Sequence, residues 1–367
     1  MSNGRLPIYK QVAEKLKRLI ETNRLPPGTY LPSERSLADE FRCSRVAIRQ
    51  AVQELRKLGL VVSEHGRGNR VAERRGADFF IGVVTPYLPI VPAREIVYGI
   101  ERHLATAACH VMAANSLDNE QMERDRIQSF LTLDVHGLIV VSCTSFVNLD
   151  YFEEVSRTVP IVIADRIPMD INLPVVRTDE IEGAYRATKS LIDQGHRRIA
   201  CITQDNYLLG EERAAGYTQA LAQHSIDAPP TYLQACRKET PHDVYRACVR
   251  ILHSEEPPTA LVVYDDAVAE IVYQAASDLG FDIPAELSVL SLSGTETAKH
   301  LAPSLSALHR QQVEVGAKAA QVLYEWIQSG NPPHRRLWVK SKLVHRKSVA
   351  PVSPSREEEV VDEDTSA

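Results

Sequence analysis

Six cysteines in 367 residues leave little room for thiol chemistry. Cys43, Cys109, Cys143, Cys201, Cys236 and Cys248 show no C-x-x-C and no metal-ligand spacing, and several sit inside apolar runs. This excludes a disulfide framework and a zinc ribbon, and it reads as free core thiols in a reducing compartment. The 12 histidines do not cluster with acidic or thiol residues, so no metal site is expected. No stretch of about 18 uninterrupted apolar residues exists, so no membrane span is expected. The N-terminus shows a segment of mixed charge instead of an apolar signal, and the expected location is the cytoplasm. G-x-S-x-G, G-x-x-x-x-G-K-[ST] and H-E-x-x-H are all missing. The only G-x-G, Gly66-Arg67-Gly68, sits in a turn and opens no helix. Neither catalysis nor a cofactor is expected.

What the chain does have is an uneven charge. Residues 1–76 hold 16 Lys and Arg against 8 Asp and Glu, a net +8, and the remainder carries −14. The whole-chain value of −6 conceals a basic head on an acidic body. Basic heads find phosphate, and acidic bodies are repelled by it. The length predicts two or more domains, and 44% apolar content is ample for their cores.

The head is the most informative part. From Leu31 to Gly59 the sequence reads as two short helices with a tight joint. Ser33 is placed to cap the first, whose apolar face is Leu37, Ala38 and Phe41. Arg42-Cys43-Ser44 is the turn, with Ser44 placed to cap the second. There Ile48, Ala51, Val52, Leu55 and Leu58 face inward at helical spacing. Arg45, Arg49, Gln53 and Arg56 share the outward face, an arrangement suited to a DNA major groove. Upstream, Pro7 opens a helix with the stripe Ile8, Val12, Leu16, Leu19 and Ile20, and Pro26-Pro27-Gly28 stops it. Downstream, Leu60–Ser63 and Asn69–Ala72 read as two strands, with His65 and Arg67 at the hairpin tip. The order is that of a winged helix-turn-helix. A solvated charged face would explain the arginines alone, but not the order of helices, wing and glycines together.

Residues 5–72 resemble the DNA-binding domain of the GntR family. Pro7-Ile8-Tyr9, Leu25-Pro26-Pro27-Gly28, Leu31-Pro32-Ser33-Glu34-Arg35, Ser44-Arg45, Ile48-Arg49-Gln50-Ala51 and Gly66-Arg67-Gly68 carry the likeness. Val46-Ala47 departs from it, since the family usually has two hydroxyl residues there. The resemblance implies DNA contacts from Arg35, Ser44, Arg45, Arg49, His65, Gly66 and Arg67.

Arg74–Asp78 reads as a linker. Beyond it, short apolar runs alternate with helical segments: Phe79–Val84, His110–Ala113, Leu138–Ser142, Ile161–Ala164, Ile199–Ile202, Ala260–Tyr264 and Val289–Leu292. Such runs argue for an α/β fold with parallel sheets covered on both faces. Ligands in these sheets bind beyond the carboxyl ends of the strands. Those ends are polar here: Thr85-Pro86-Tyr87, Asn115-Ser116, Cys143-Thr144, Asp165-Arg166, Thr203-Gln204-Asp205, Asp265-Asp266 and Ser293-Gly294.

Residues 79–350 resemble the two-lobed, periplasmic-binding-protein-like effector domain of the LacI/GalR family. The matching words include Ile81-Gly82-Val83-Val84, Asp134–Val140, Pro160–Arg166, Leu191–Ala200, Arg213-Ala214-Ala215-Gly216-Tyr217, Asp265-Asp266 and Ile283–Val289. A GntR-type head on a LacI-type body is similar to the subfamily of the bacterial arabinose-responsive repressor. The resemblance implies that Arg213 holds ligand hydroxyls, that Asp265 contacts ligand, and that Asp165-Arg166 is kept. Tyr87 is placed to stack on a sugar face, and guanidinium forks and carboxylates suit polyols. Thr85 and Ser293 complete the rim. Arg310 stands where a glutamine is common; Arg166 and Arg310 either meet an acidic ligand or close salt bridges inside the cleft. Ile90-Val91-Pro92-Ala93 replaces the family's aromatic pair. His196 is expected to end a helix as a cation, and Gly195 to be its C-cap.

The expected protein is a ligand-responsive, sequence-specific repressor in the bacterial cytoplasm. Its partners would be a double-stranded DNA operator and a small effector: a sugar, sugar acid or sugar phosphate. The alternative is a metabolite-binding protein with nonspecific DNA association. A homodimer is expected through the body; the stripes Ile96, Ile100, Leu104 and Val268, Ile271, Val272 either serve it or cover the sheet. Three segments follow: a DNA-binding head over 5–75, a ligand-binding and dimerisation body over 79–350, and a disordered acidic tail over 351–367.

Overall fold

The computed structural model describes residues 7–21, 25, 26, 28–57, 60–64, 67–72, 79–105, 107, 109–165, 171–205, 208–237, 240–333 and 336–352. The chain divides into two compact units, Met1–Asp78 and Phe79–Ala367. The linker, Leu58, Gly59 and most of the acidic tail lie outside the described residues.

The first unit contains α1 (Ile8–Glu21), α2 (Glu34–Glu40), α3 (Arg45–Lys57), β1 (Val61–Glu64) and β2 (Gly68–Val71). Ser33 Oγ accepts from Ser36 N at 3.2 Å and caps α2. Ser44 Oγ accepts from Ala47 N at 3.2 Å and caps α3. Between the caps, Arg42 adopts a φ of 50°, and Cys43 N returns to Ala38 O at 3.0 Å. Val12, Leu16, Ile20, Leu37, Ile48, Val52 and Leu55 close one core against Val61 and Val71. The strands pair antiparallel from Val61↔Val71 to Glu64↔Gly68, one residue off the expected ranges. Ile8 is 60% exposed and leaves the expected stripe; it opens α1, one turn before Val12, the first residue of that helix to reach the core.

In the second unit β3 (Phe79–Thr85), α4 (Val91–Leu104), β4 (Cys109–Asn115), α5 (Glu120–Thr132), β5 (Gly137–Val140), α6 (Leu149–Ser156), β6 (Ile161–Ala164) and β7 (Val175–Thr178) come first. Next are α7 (Glu180–Asp193), β8 (Ile199–Gln204), α8 (Leu208–Gln223), β9 (Leu233–Cys236), α9 (Pro241–Leu252), β10 (Ala260–Val263), α10 (Asp266–Asp278), β11 (Ser288–Ser291), α11 (Thr297–His300) and β12 (Ser306–His309). The last elements are α12 (Gln312–Ser329), β13 (Arg336–Val339) and β14 (Lys342–Val344). One sheet runs β13-β7-β6-β5-β3-β4, all parallel; the other runs β14-β12-β11-β10-β8-β9, with only β14 antiparallel. Alternate strand residues enter apolar clusters on opposite faces of each sheet, as the unbroken apolar runs imply. The chain crosses between the two lobes after β7, after β12 and between β13 and β14.

In the first lobe α4 and α12 touch backbone to backbone. A Cβ on Gly99 would stand 2.1 Å from Val313 O, and one on Gly316 2.0 Å from Ile96 O. Only glycine admits so close an approach.

One open alternative is decided, and one expectation needs correction. Ile96, Ile100, Leu104, Val268 and Val272 are buried in the sheet-covering cores, and Ile271 packs against one of them. These stripes therefore cover the sheets, one of the two readings open to them. His196 is not a solvated cation at a helix end. It is buried, with Nδ1 2.8 Å from Thr259 Oγ1 and Nε2 3.0 Å from Ala350 O. Burial pushes its pKa below the ordinary value, more than the bond to Ala350 raises it. Gly195, with φ of 95°, does end α7 in the left-handed turn. The six cysteines are free, four of them buried.

Candidate functional site

In the head, Arg45 and Arg49 stand exposed on the outward face of α3, and Arg35 is exposed in the first turn of α2. Glu34 links the two helices. Arg49 Nε donates to Glu34 Oε1 at 3.2 Å and Arg49 Nη2 to Oε2 at 2.9 Å; Arg45 Nη2 lies 4.0 Å from the same carboxylate. The hydrogen bond from Arg49 holds the Glu34 carboxyl below its usual range. A planar guanidinium on a fixed carboxylate is oriented before any ligand arrives. Ser44 is exposed, with its hydroxyl engaged as the helix cap. Arg67 is exposed at the hairpin, where its N–H donates to Glu64 O at 3.1 Å. His65 and Gly66 lie outside the described residues.

In the body, the carboxyl ends of strands from both lobes surround a cavity of about 330 Å³. Thr85, Tyr87, Asp165, Arg213, Asp265, Ser293 and Arg310 all line it. Arg166 lies outside the described residues. Ile90, Pro92, Ala93 and Ile96 add an apolar wall from the start of α4, where the sequence departs from the family's aromatic pair. Tyr87 is 41% exposed.

The polar side of the cavity is an ion network. Glu180, in the first turn of α7, is buried. Its Oε2 accepts from Arg213 Nε at 2.7 Å and its Oε1 from Arg310 Nε at 2.7 Å. Arg213 Nη1 also donates to Tyr264 O at 3.0 Å, and Arg310 Nη2 to Asp165 Oδ1 at 2.6 Å. Gln312 Nε2 donates to the same Asp165 oxygen at 3.1 Å. Burial by itself would raise the Glu180 pKa, but Arg213 and Arg310 together bring it down to about 2. Arg310 thus makes the salt bridge inside the cleft. The network joins Asp165 of the first lobe, Arg213 of the second, and two of the three crossings between them. A second ion pair, buried Arg177 with half-buried Glu212, joins β7 to α8, with Arg177 stacked over Trp338 at 5.5 Å.

Other polar groups complete the lining. Thr85 Oγ1 is buried with no hydrogen-bond partner among the described residues, so a polar ligand atom would relieve a desolvated hydroxyl. Asp265 Oδ1 accepts from Val268 N at 2.9 Å as the cap of α10. Asp118 faces the cavity and accepts from Thr144 N at 2.9 Å and Thr144 Oγ1 at 2.7 Å. Sequence reading passed over Glu180, Asp118 and Tyr264. Glu180 follows a strand that was not recognised, and its partners lie 33 and 130 residues away. The arrangement presents hydrogen-bond donors and acceptors from both lobes to the same cavity.

Residues 8–71 match the bacterial regulatory proteins of the gntR family, and residues 188–349 match a periplasmic binding protein-like domain. The chain is 26% identical over 340 residues to an arabinose metabolism transcriptional repressor of Geobacillus stearothermophilus, covering 89% of this chain and 93% of that protein. Two solved structures share its fold. One is the transcription regulator CcpA of Lactococcus lactis, with a TM-score of 0.64 and 23% identity over 74% of this chain and 99% of that one. The other is the transcriptional regulator CelR in complex with cellobiose, with a TM-score of 0.65 and 21% identity over 87% of this chain and 100% of that one. The chain thus joins a head that matches the model of the gntR-family regulatory proteins to a body partly matched by a periplasmic binding protein-like domain, and it is similar over most of its length to a transcriptional repressor.

Proposed function

We propose that the chain is a repressor of carbohydrate-related genes whose operator affinity is set by a small sugar-like metabolite in the cleft. The head, over residues 5–75, reads an operator half-site with Arg45 and Arg49 at the groove. Arg35, Ser44 and the wing residues His65, Gly66 and Arg67 hold the backbone. The body, over 79–350, takes the effector against Arg213, Asp165, Asp265, Thr85 and Ser293, with Tyr87 on the sugar face. Cleft closure changes operator affinity because the effector binds the two states unequally. Two chains act together as a homodimer on a near-palindromic site in the cytoplasm.

The observation that carries this reading is the cleft itself: buried polar groups from both lobes, in one chain with an arginine-faced recognition helix. The test has two parts. A footprint on upstream DNA should show one protected sequence, and a sugar from a thermal-shift panel should change its occupancy, since tight ligands raise stability by mass action. Arg213→Ala and Asp265→Ala should then abolish the response to that sugar and leave operator binding intact. Uniform protection of random DNA would instead support a metabolite-binding protein with nonspecific DNA association.

A further inference from the structure

Two arginines in a cleft ordinarily invite an anion. Here both are already answered. The two oxygens of one buried carboxylate each take the Nε of a different guanidinium, 2.7 Å on either side. Asp165 takes a further donor of Arg310. The cluster balances two positive charges with two negative ones. Asp118 and Asp265 add further carboxylates to the lining, and the described lining holds no cations besides Arg213 and Arg310.

We propose that Glu180 sets the charge class of the effector: by neutralising Arg213 and Arg310 from behind, it makes the cleft accept an uncharged polyhydroxy molecule and reject the corresponding acid or phosphate ester. This rests on the cleft being the effector site. A hydroxyl both donates and accepts, so it can bridge a carboxylate and a guanidinium without displacing either. A carboxylate or phosphate only accepts. It would have to compete with Glu180 and Asp165 for the same donors while facing Asp118 and Asp265. Glu180 acts through the arginines and is a positioning and selectivity residue. Its carboxyl, held at about 2, stays charged throughout the physiological range.

The test uses the full chain and calorimetry with three probes: neutral pentoses and hexoses including arabinose, their aldonic acids, and inorganic phosphate. The wild type should bind a neutral sugar about tenfold or more tightly than its acid, the scale of one charge partner near a buried site. Glu180→Gln should reverse that preference and gain thermal stabilisation by phosphate that the wild type lacks. Glu180→Gln with Arg310→Gln restores the balance of charge and should restore the neutral preference. If Glu180→Gln does not fold, Asp165→Asn adds the same unit of positive charge and should give the same reversal. Failure of every neutral sugar on the wild type would remove the sugar-effector reading, and the phosphate arm would still decide the role of Glu180. Equal binding of acid and neutral sugar by the wild type would overturn the proposal. So would the absence of any gain in anion binding in the variants, or a double variant that still prefers acids.

Discussion

Arg49 shows how one side chain serves two partners. Its fork rests on Glu34 in the free head, so contact with a base edge exchanges one bidentate partner for another. Arg49→Ala should remove about 1–3 kcal/mol of discrimination between operator and random DNA, read by fluorescence anisotropy on both sequences. Unchanged affinities for both would place the recognition helix elsewhere. His196 makes a separate prediction about pH. Its folded pKa lies below the ordinary 6.5, so as pH falls through 6.5 the unfolded chain takes up the proton first. The stability it contributes is present above that value and is lost below it. Denaturation midpoints one unit above and one unit below 6.5 should differ in that direction, and His196→Asn should flatten the difference. Both arginines of the cleft were legible because each belongs to a sequence word with a known place. Glu180 was not, because a carboxylate next to an Asp at the start of a helix reads as an ordinary capping residue.

At the scale of elements, the parallel strands with unbroken apolar runs were readable, β6 at its full extent and β3, β8, β10 and β11 within a few residues. The strands that escaped notice carry polar or charged residues within them: Arg177 in β7, Gln234 in β9, His309 in β12 and Arg336 in β13. β14 is only three residues long. β9, β13 and β14 lie at sheet edges, and β7 and β12 each pair with a strand distant in sequence, which local pattern cannot report. The same limit explains the stripes on α4 and α10. Spacing showed that they were apolar, but only tertiary packing showed what they cover. The α4–α12 contact gives a direct test. Gly99→Ala or Gly316→Ala should destabilise the body by about 1–3 kcal/mol, since a methyl group there meets backbone that cannot yield. Chemical denaturation should register the loss in the transition that carries the body, with that of the head unmoved.

For the whole molecule, the basic head and acidic body set up opposing responses to DNA. A fragment of residues 1–76 should be monomeric in sedimentation and bind operator far more weakly than the full chain, because it loses the linked second contact. Its remaining affinity should fall steeply with salt, as phosphate contacts dominate it. A full chain that sediments as a monomer, with operator affinity equal to that of the fragment, would defeat the two-headed mechanism.

The three crossings between lobes also dictate an order of birth. The first lobe begins at Phe79, yet α12 and its edge strand β13 are drawn from Gln312 to Val339, after most of the second lobe has been made. The second lobe in turn waits for β14 and for Ser348, whose Oγ accepts from Ser306 N at 2.7 Å. On a ribosome, where chains emerge from the N-terminus, the head emerges early, whereas the first lobe waits for Val339 and the second for Ser348. A ribosome that stalls before Gln312 would therefore hold a finished head attached to two unfinished lobes, a head cut off from whatever control the cleft exerts.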